Sequence, residues 1–164
     1  MVSSSLAKFR LITLDEMIQD ADVIILGELK KDSAVHAVVK VQTTLKGIPK
    51  EEIHFDLSKR SGCQVPIAKG PERALLFIQE NEDGTYRIYA TGRGCMPIDE
   101  VDGKEFAAFH SMVSIHYTIE RINCVKVRSG YKQSIAVGDL LGYVEKILAK
   151  GGVKKKLKIP NHQL

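Results

Sequence analysis

The sequence predicts a mainly β fold in which five short strands close into a small Greek-key barrel of the OB type. Apolar and polar residues alternate in short segments between residues 22 and 92, and turn-forming residues separate these segments. Gly27 interrupts the first segment, where a bend would let one strand serve both halves of a barrel wall. Closure is the economical arrangement because it leaves no exposed sheet edges.

A short helix is predicted to precede the strands, at residues 13–22. Thr13 is placed to cap its N-terminus, and Glu16 follows at the capping-box spacing. Four apolar residues then fall on one helical face. They are Leu14, Met17, Ile18 and Ala21.

Five segments are predicted to be the barrel strands. They are residues 22–30, 34–47, 52–58, 73–79 and 86–92. The second and third alternate, as is typical of strands with one buried face. The sequence "NEDGT" between the last two predicts a hairpin turn.

Residues 103–164 predict a C-terminal α/β extension, whose topology the sequence does not specify. The helical spacing of apolar residues in 103–113 predicts a helix, whereas the alternation in 114–127 predicts extended chain. An apolar stripe in 139–152 predicts a final helix with Asp139 as its N-cap. No linker divides the chain, so we expect residues 1–164 to form a single domain.

Composition limits the function classes. The apolar fraction of 44% and the charged fraction of 27% exclude a wholly disordered chain. Much of the net charge of +4 comes from "KKKLK" at 154–158, which we expect to be a solvated tail. No stretch approaches the roughly 20 apolar residues of a membrane-spanning helix, so no transmembrane segment is predicted.

Four segments in order resemble the netrin-like OB domains, the barrels of the tissue inhibitors of metalloproteinases and of their bacterial relatives. The segments are "ADVIILGEL", the strand ending in "LKG", "CQVPIAKGPERALLFIQE" and "YATGRGC". The resemblance covers about residues 14–98 and implies an OB-like barrel there. It also implies an extracytoplasmic protein, periplasmic or secreted, from which a signal peptide has been removed. A cytoplasmic protein is the alternative.

One departure from this family removes its inhibitory mechanism. The inhibitors bind the protease zinc through an N-terminal cysteine, whereas no cysteine precedes Cys63 here. We therefore expect a non-enzymatic protein-binding or scaffolding module with an unidentified protein partner.

The three cysteines, Cys63, Cys95 and Cys124, lack the Cys-x-x-Cys spacing of zinc and thioredoxin motifs. Cys63 follows the third predicted barrel strand and Cys95 follows the fifth, so both would lie at one end of an OB barrel. We expect a Cys63–Cys95 disulfide, which would stabilise the fold by about 3–4 kcal/mol, and Cys124 as a small core residue. Three unpaired thiols in a cytosolic protein remain the alternative.

The sequence nominates no catalytic, cofactor-binding or metal-binding residues. His54 and Cys63 lie nine residues apart across a loop and could pair as base and nucleophile, but nothing in the sequence marks them out. His110 and His116 would need a further metal ligand that the sequence does not nominate. The acidic pairs lie in turn-like segments. We therefore expect no enzyme activity and no cofactor.

A partner surface is expected at the cysteine-linked end of the barrel, on Arg60, Arg93 and Met96, because a disulfide would hold those loops rigid. Two alternatives remain open. One is single-stranded nucleic-acid binding, although Tyr86 and Tyr89 would face opposite sides of a strand and so would not form a stacking platform. The other is a homo-oligomer formed through the alternating residues 114–120 of the extension.

Overall fold

The computed structural model describes residues 10–57 and 71–151 and contains a closed five-stranded barrel, a sheet that extends from it, and two helices. The α-helices are α1 (Leu14–Asp20) and α2 (Val137–Gly151), and a short 3-10 helix spans Tyr89–Gly92, so the strand predicted at residues 86–92 extends only over Tyr86–Ile88. The strands are β1 (Ile12–Thr13), β2 (Val23–Lys31), β3 (His36–Lys46), β4 (Glu52–Asp56), β5 (Glu72–Glu80), β6 (Tyr86–Ile88), β7 (Cys95–Val101), β8 (Lys104–His110), β9 (Val113–Ser114), β10 (Ile122–Arg128) and β11 (Tyr131–Ala136).

The predicted OB-type barrel is confirmed by the strand pairing. Strand β2 pairs antiparallel with β3 and with β5, and β3 pairs antiparallel with β4. Strand β6 closes the ring because it runs parallel to β4 and antiparallel to β5. The order around the barrel is therefore β2-β3-β4-β6-β5, which is the Greek-key order of an OB fold.

Strand β5 belongs to two sheets. Its first half, residues 74–76, pairs with β7, and its second half, residues 78–80, pairs with β6. From β7 an antiparallel sheet continues through β8 and β11 to β10. The barrel and the extension are thus joined by a continuous hydrogen-bonded strand.

Two apolar cores lie on opposite faces of β2 and β5. The barrel core contains Ile25, Leu76 and Ile78 from these strands, whereas Ile24 and Phe77 face the second core. We call this second core the helix-side core; it includes buried residues of α1, α2 and β8. Burial on both faces explains why β2 and β5 are nearly continuous apolar runs.

Helix α1 begins with the predicted capping box. The Thr13 hydroxyl accepts a hydrogen bond from the Glu16 amide at 3.1 Å, and the Glu16 carboxylate accepts one from the Thr13 amide at 3.0 Å. Helix α2 also forms, but Asp139 lies in its first turn and is not the N-cap, because the helix begins at Val137. The negative charge still lies at the favourable end of the helix dipole.

The prediction of a helix at residues 103–113 is wrong, because most of this segment forms strand β8. Ala107 and Phe109 face the helix-side core, while Ala108 is buried on the opposite face, so the strand lacks the alternation of a half-buried strand. Asp102 and Gly103 join β7 to β8 with positive φ angles of 50° and 74°. An Asp-Gly pair is a strong hairpin signal.

Gly27 allows β2 to approach β3 closely, at a shift in strand register. A Cβ atom there would lie 2.5 Å from the Lys40 carbonyl oxygen and 2.8 Å from Val39 Cγ2. We expect Gly27→Ala to lower the free energy of unfolding by about 1–3 kcal/mol, measured by urea denaturation.

Gly142→Ala is the matched control. Gly142 is exposed within α2, and a Cβ there would meet nothing within 4 Å. Because alanine favours a helix more than glycine does, this variant should have a free energy of unfolding about 1 kcal/mol higher than the wild type. A Gly27→Ala protein as stable as the wild type would contradict the assigned role of Gly27.

Candidate functional site

Strand β10 forms an edge of the extension sheet. Among the described residues its only strand neighbour is β11. The pairing is regular at Asn123 with Gln133 and resumes at Arg128 with Tyr131, so β10 advances five residues while β11 advances two. The middle of β10 therefore bulges away from the sheet.

The bulge exposes apolar side chains. Val127 is fully exposed, Val125 is 46% exposed and Ile122 is 36% exposed. We call these three residues the β10 surface. Proteins commonly protect edge strands with charges or cover them, so exposed valines on such a strand are unusual.

A groove of about 470 Å³ is lined by residues of β8, β9, β10 and β11 and reaches the edge strand β10 at Asn123. Four of its lining residues are apolar, namely Leu11, Phe109, Val113 and Ile115, and we call them the groove floor. The other six are Ser111, Ser114, Arg121, Asn123, Lys132 and Gln133, and we call them the groove rim. The described lining thus includes two cations and no carboxylate.

Strand pairing and one loop contact position the groove residues. Gln133 lies between Phe109 on β8 and Asn123 on β10 in register. Arg121 donates a hydrogen bond to the Ile115 carbonyl oxygen at 3.0 Å and so fastens the loop that ends β9. Lys132 is exposed and has no hydrogen bond or ion pair with any residue in the described ranges, so its ammonium group is available to a ligand.

Arg128 anchors the end of β10. Its guanidinium binds Asp99 on β7 through two hydrogen bonds of 2.5 and 3.0 Å, and it also binds Glu72 on β5. All three side chains are nearly buried. The hydrogen bonds to Asp99 and Glu72 raise the pKa of the Arg128 guanidinium above its already high value. A charged triad therefore ties the candidate site to the strand shared with the barrel.

Two of the predicted site residues, Cys63 and Arg60, lie outside the described residues, so the Cys63–Cys95 disulfide stays a prediction. Cys95 is buried in the barrel core at the start of β7 and is not bonded to Cys124. Cys124 is only half-buried, and its sulfur accepts a hydrogen bond from Ser134 at 3.5 Å.

Met96 was predicted to belong to the partner surface, but the structure buries it. It is 0% exposed and packs in the helix-side core, because Cys95 before it faces the barrel core and successive strand residues face opposite sides. Arg93 is half-buried and donates to the carbonyl oxygens of Ala90 and Arg10 at 3.0 and 3.1 Å. Met96 therefore cannot contribute to the predicted surface and Arg93 contacts its own chain, whereas Arg60 lies outside the described residues.

The aromatic residues considered for stacking on nucleic acid contact their own chain. Tyr89 packs against the helix-side core, and its hydroxyl donates to Asp20 at 3.1 Å. Burial, with help from Asp20, raises the pKa of Tyr89 to about 12. The ammonium nitrogen of Lys50 lies 4.7 Å from the centre of the Tyr86 ring. Neither ring is an open platform for a base.

His110 and His116 have separate local contacts. His110 Nδ1 accepts a hydrogen bond from the Met112 amide at 3.1 Å, and burial lowers the pKa of its ring. His116 Nδ1 lies 2.9 Å from the Thr118 hydroxyl. Within residues 10–57 and 71–151, no group of three or more histidine, cysteine, aspartate or glutamate side chains is arranged to hold a metal ion.

Sequence reasoning missed the β10 surface and the groove. The prediction of extended chain over 114–127 is correct for Ile122–Arg128 but wrong for residues 115–121, which form a loop where Tyr117 is 84% exposed. The alternating strand at 114–120, expected to mediate a homo-oligomer, therefore does not form beyond Ser114. The pair Ser129-Gly130, which follows β10 and turns the chain into β11, was an available signal for an edge hairpin.

Comparison with known proteins gives no relative: no family model, curated protein or solved structure matches the chain. Neither helix in the described part of the chain is long and apolar enough to cross a membrane.

Arg128→Met tests the anchor of β10. Removing the guanidinium leaves two carboxylates nearly buried without their partner, so we expect a loss of about 3–5 kcal/mol in the free energy of unfolding. Urea denaturation near pH 7 would measure it.

Lys126→Met is the matched control, because Lys126 is 70% exposed and lies 3.6 Å from the same Asp99 carboxylate. The free energy of unfolding of this variant should fall by less than about 1 kcal/mol. Equal losses in the two variants would show that Arg128 is not the anchor.

Proposed function

We propose that this protein is a non-enzymatic binding module of netrin-like OB type that holds an extended segment of another protein across the groove and the β10 surface. One observation carries the proposal. A groove with apolar and cationic lining residues reaches Asn123 on β10, the edge strand that also carries the exposed Val125 and Val127. Apolar contact area beside unpaired charge is what a peptide-binding site requires.

The groove chemistry specifies the partner segment. The groove floor and the β10 surface fit apolar side chains, whereas Arg121, Lys126 and Lys132 fit acidic ones. The stretch Ile122–Val127 corresponds to about 20 Å of extended chain, enough for roughly six partner residues. The partner is therefore an extended segment in which apolar residues alternate with Asp or Glu.

A binding role is favoured over catalysis by the groove lining. Ser111 and Ser114 are the hydroxyl groups there, and the described lining residues include no histidine or carboxylate that could act as their base. Binding of protein is favoured over binding of nucleic acid because Tyr89 packs against the helix-side core and Lys50 lies over the Tyr86 ring. The proposed extracytoplasmic location rests on the family resemblance and the predicted disulfide.

Self-association is a second candidate, supported by the complete exposure of Val127 on an open strand edge. In a homodimer, the β10 surfaces of two copies would cover each other. The cations near β10 favour an acidic partner instead, because a second copy would bring like charges together.

The test is selection of peptides from a displayed random library with the purified protein as bait. We expect the selected peptides to alternate apolar and acidic residues and to bind less tightly at high salt. Lys132→Glu and Val127→Lys should each weaken their binding about fivefold to tenfold, measured by fluorescence anisotropy.

Lys40→Glu is the matched control, since it makes the same charge change at an exposed barrel position away from the groove lining. Selected peptides that bind Lys132→Glu and Val127→Lys as tightly as the control would contradict the proposal. Light scattering tests self-association. A wild-type particle of two chains, together with a Val127→Lys particle of one chain, would show that the protein self-associates through the β10 surface.

A further inference from the structure

Two histidines and two carboxylates form a chain of contacts on the outside of the barrel. His36 Nδ1 lies 2.6 Å from Asp32 Oδ1, and His36 Nε2 lies 3.2 Å from His54 Nδ1. At the far end, His54 Nε2 lies 3.5 Å from Glu52 Oε2. The order of groups is carboxylate, imidazole, imidazole, carboxylate.

The strands of the barrel hold this cluster on the solvent side. His36 begins β3 and His54 lies on β4, where the neighbouring Ala37 and Ile53 face the barrel core. His54 lies directly across from Val38, so the two histidines are diagonal neighbours on adjacent strands. Their side chains are 37% and 58% exposed, so an ion in solution can reach them.

The inner nitrogens of the two rings face each other, and the outer nitrogens face carboxylates. His36 Nε2 lies next to His54 Nδ1, while His36 Nδ1 lies beside Asp32 and His54 Nε2 lies beside Glu52. A metal ion bound to the two inner nitrogens would let each ring carry its hydrogen on the outer nitrogen and donate it to its own carboxylate.

We propose that His36 Nε2 and His54 Nδ1 form a two-histidine site for a divalent transition-metal ion such as Zn²⁺ or Cu²⁺. Two imidazole nitrogens bound to one tetrahedral zinc ion are separated by about 3.3 Å, given zinc–nitrogen bonds of about 2.0–2.1 Å. The two nitrogens lie 3.2 Å apart. Water completes the coordination of the ion.

The two carboxylates support this assignment. Histidines that bind metals usually donate their other N–H to a carboxylate, which fixes the ring and makes the ligand more basic. Here Asp32 lies beside the outer nitrogen of His36, and Glu52 lies beside that of His54. Their negative charge also attracts a cation. Imidazole ligands select zinc, copper and nickel over magnesium and calcium.

The experiment is isothermal titration of the full chain with ZnCl₂ and, separately, CuCl₂ near pH 7.5. We expect His36→Ala and His54→Ala each to lower the number of bound ions by one or to weaken that site at least about tenfold. Asp32→Asn should weaken it by about tenfold to a hundredfold without removing a ligand. MgCl₂ should not bind there.

His116→Ala is the matched control, because His116 is exposed and its ring contacts Thr118 and Tyr117 rather than another histidine. It should bind both ions like the wild type. Urea denaturation checks that all four variants remain folded. Equal zinc and copper binding by His36→Ala, His54→Ala and His116→Ala would overturn the proposal, as would a loss in only one of the two paired-histidine variants.

Discussion

The architecture depends on one constraint, which is that β2 and β5 must bury both of their faces. Ile25 and Leu76 fill the barrel core, while Ile24 and Phe77 fill the helix-side core. Neither core can form without these two strands. The extension beyond the barrel is therefore a second layer on the same strands, and the triad of Arg128, Asp99 and Glu72 ties its outer edge back to β5.

This constraint places the two proposed sites on different parts of the molecule. The barrel covers the inner faces of β3 and β4, which leaves His36 and His54 at the outer face. The groove in the extension is lined partly by Phe109, Val113 and Ile115, which also belong to the helix-side core. The two proposed functions can therefore be tested separately by substitution.

Local signals made part of the fold predictable. The capping box of α1 and the alternation of β3 and β4 follow from neighbouring residues, so the sequence alone indicates them. Strand β8 was missed because burial on both faces removes its alternation. The groove could not be found from sequence because it joins Leu11, Phe109 and Lys132, which only strand pairing brings together. The exposure of Val127 depends on a bulge that has no clear sequence pattern.

Native-state hydrogen exchange tests most directly whether the shared strands make barrel and extension one cooperative unit. We expect the most protected amides of β3 in the barrel and β8 in the extension to exchange with the same free energy of opening, and with the same dependence on denaturant. If the amides of β8 exchanged with a markedly lower free energy of opening while those of β3 stayed protected, the extension would open independently of the barrel. That result would contradict this account.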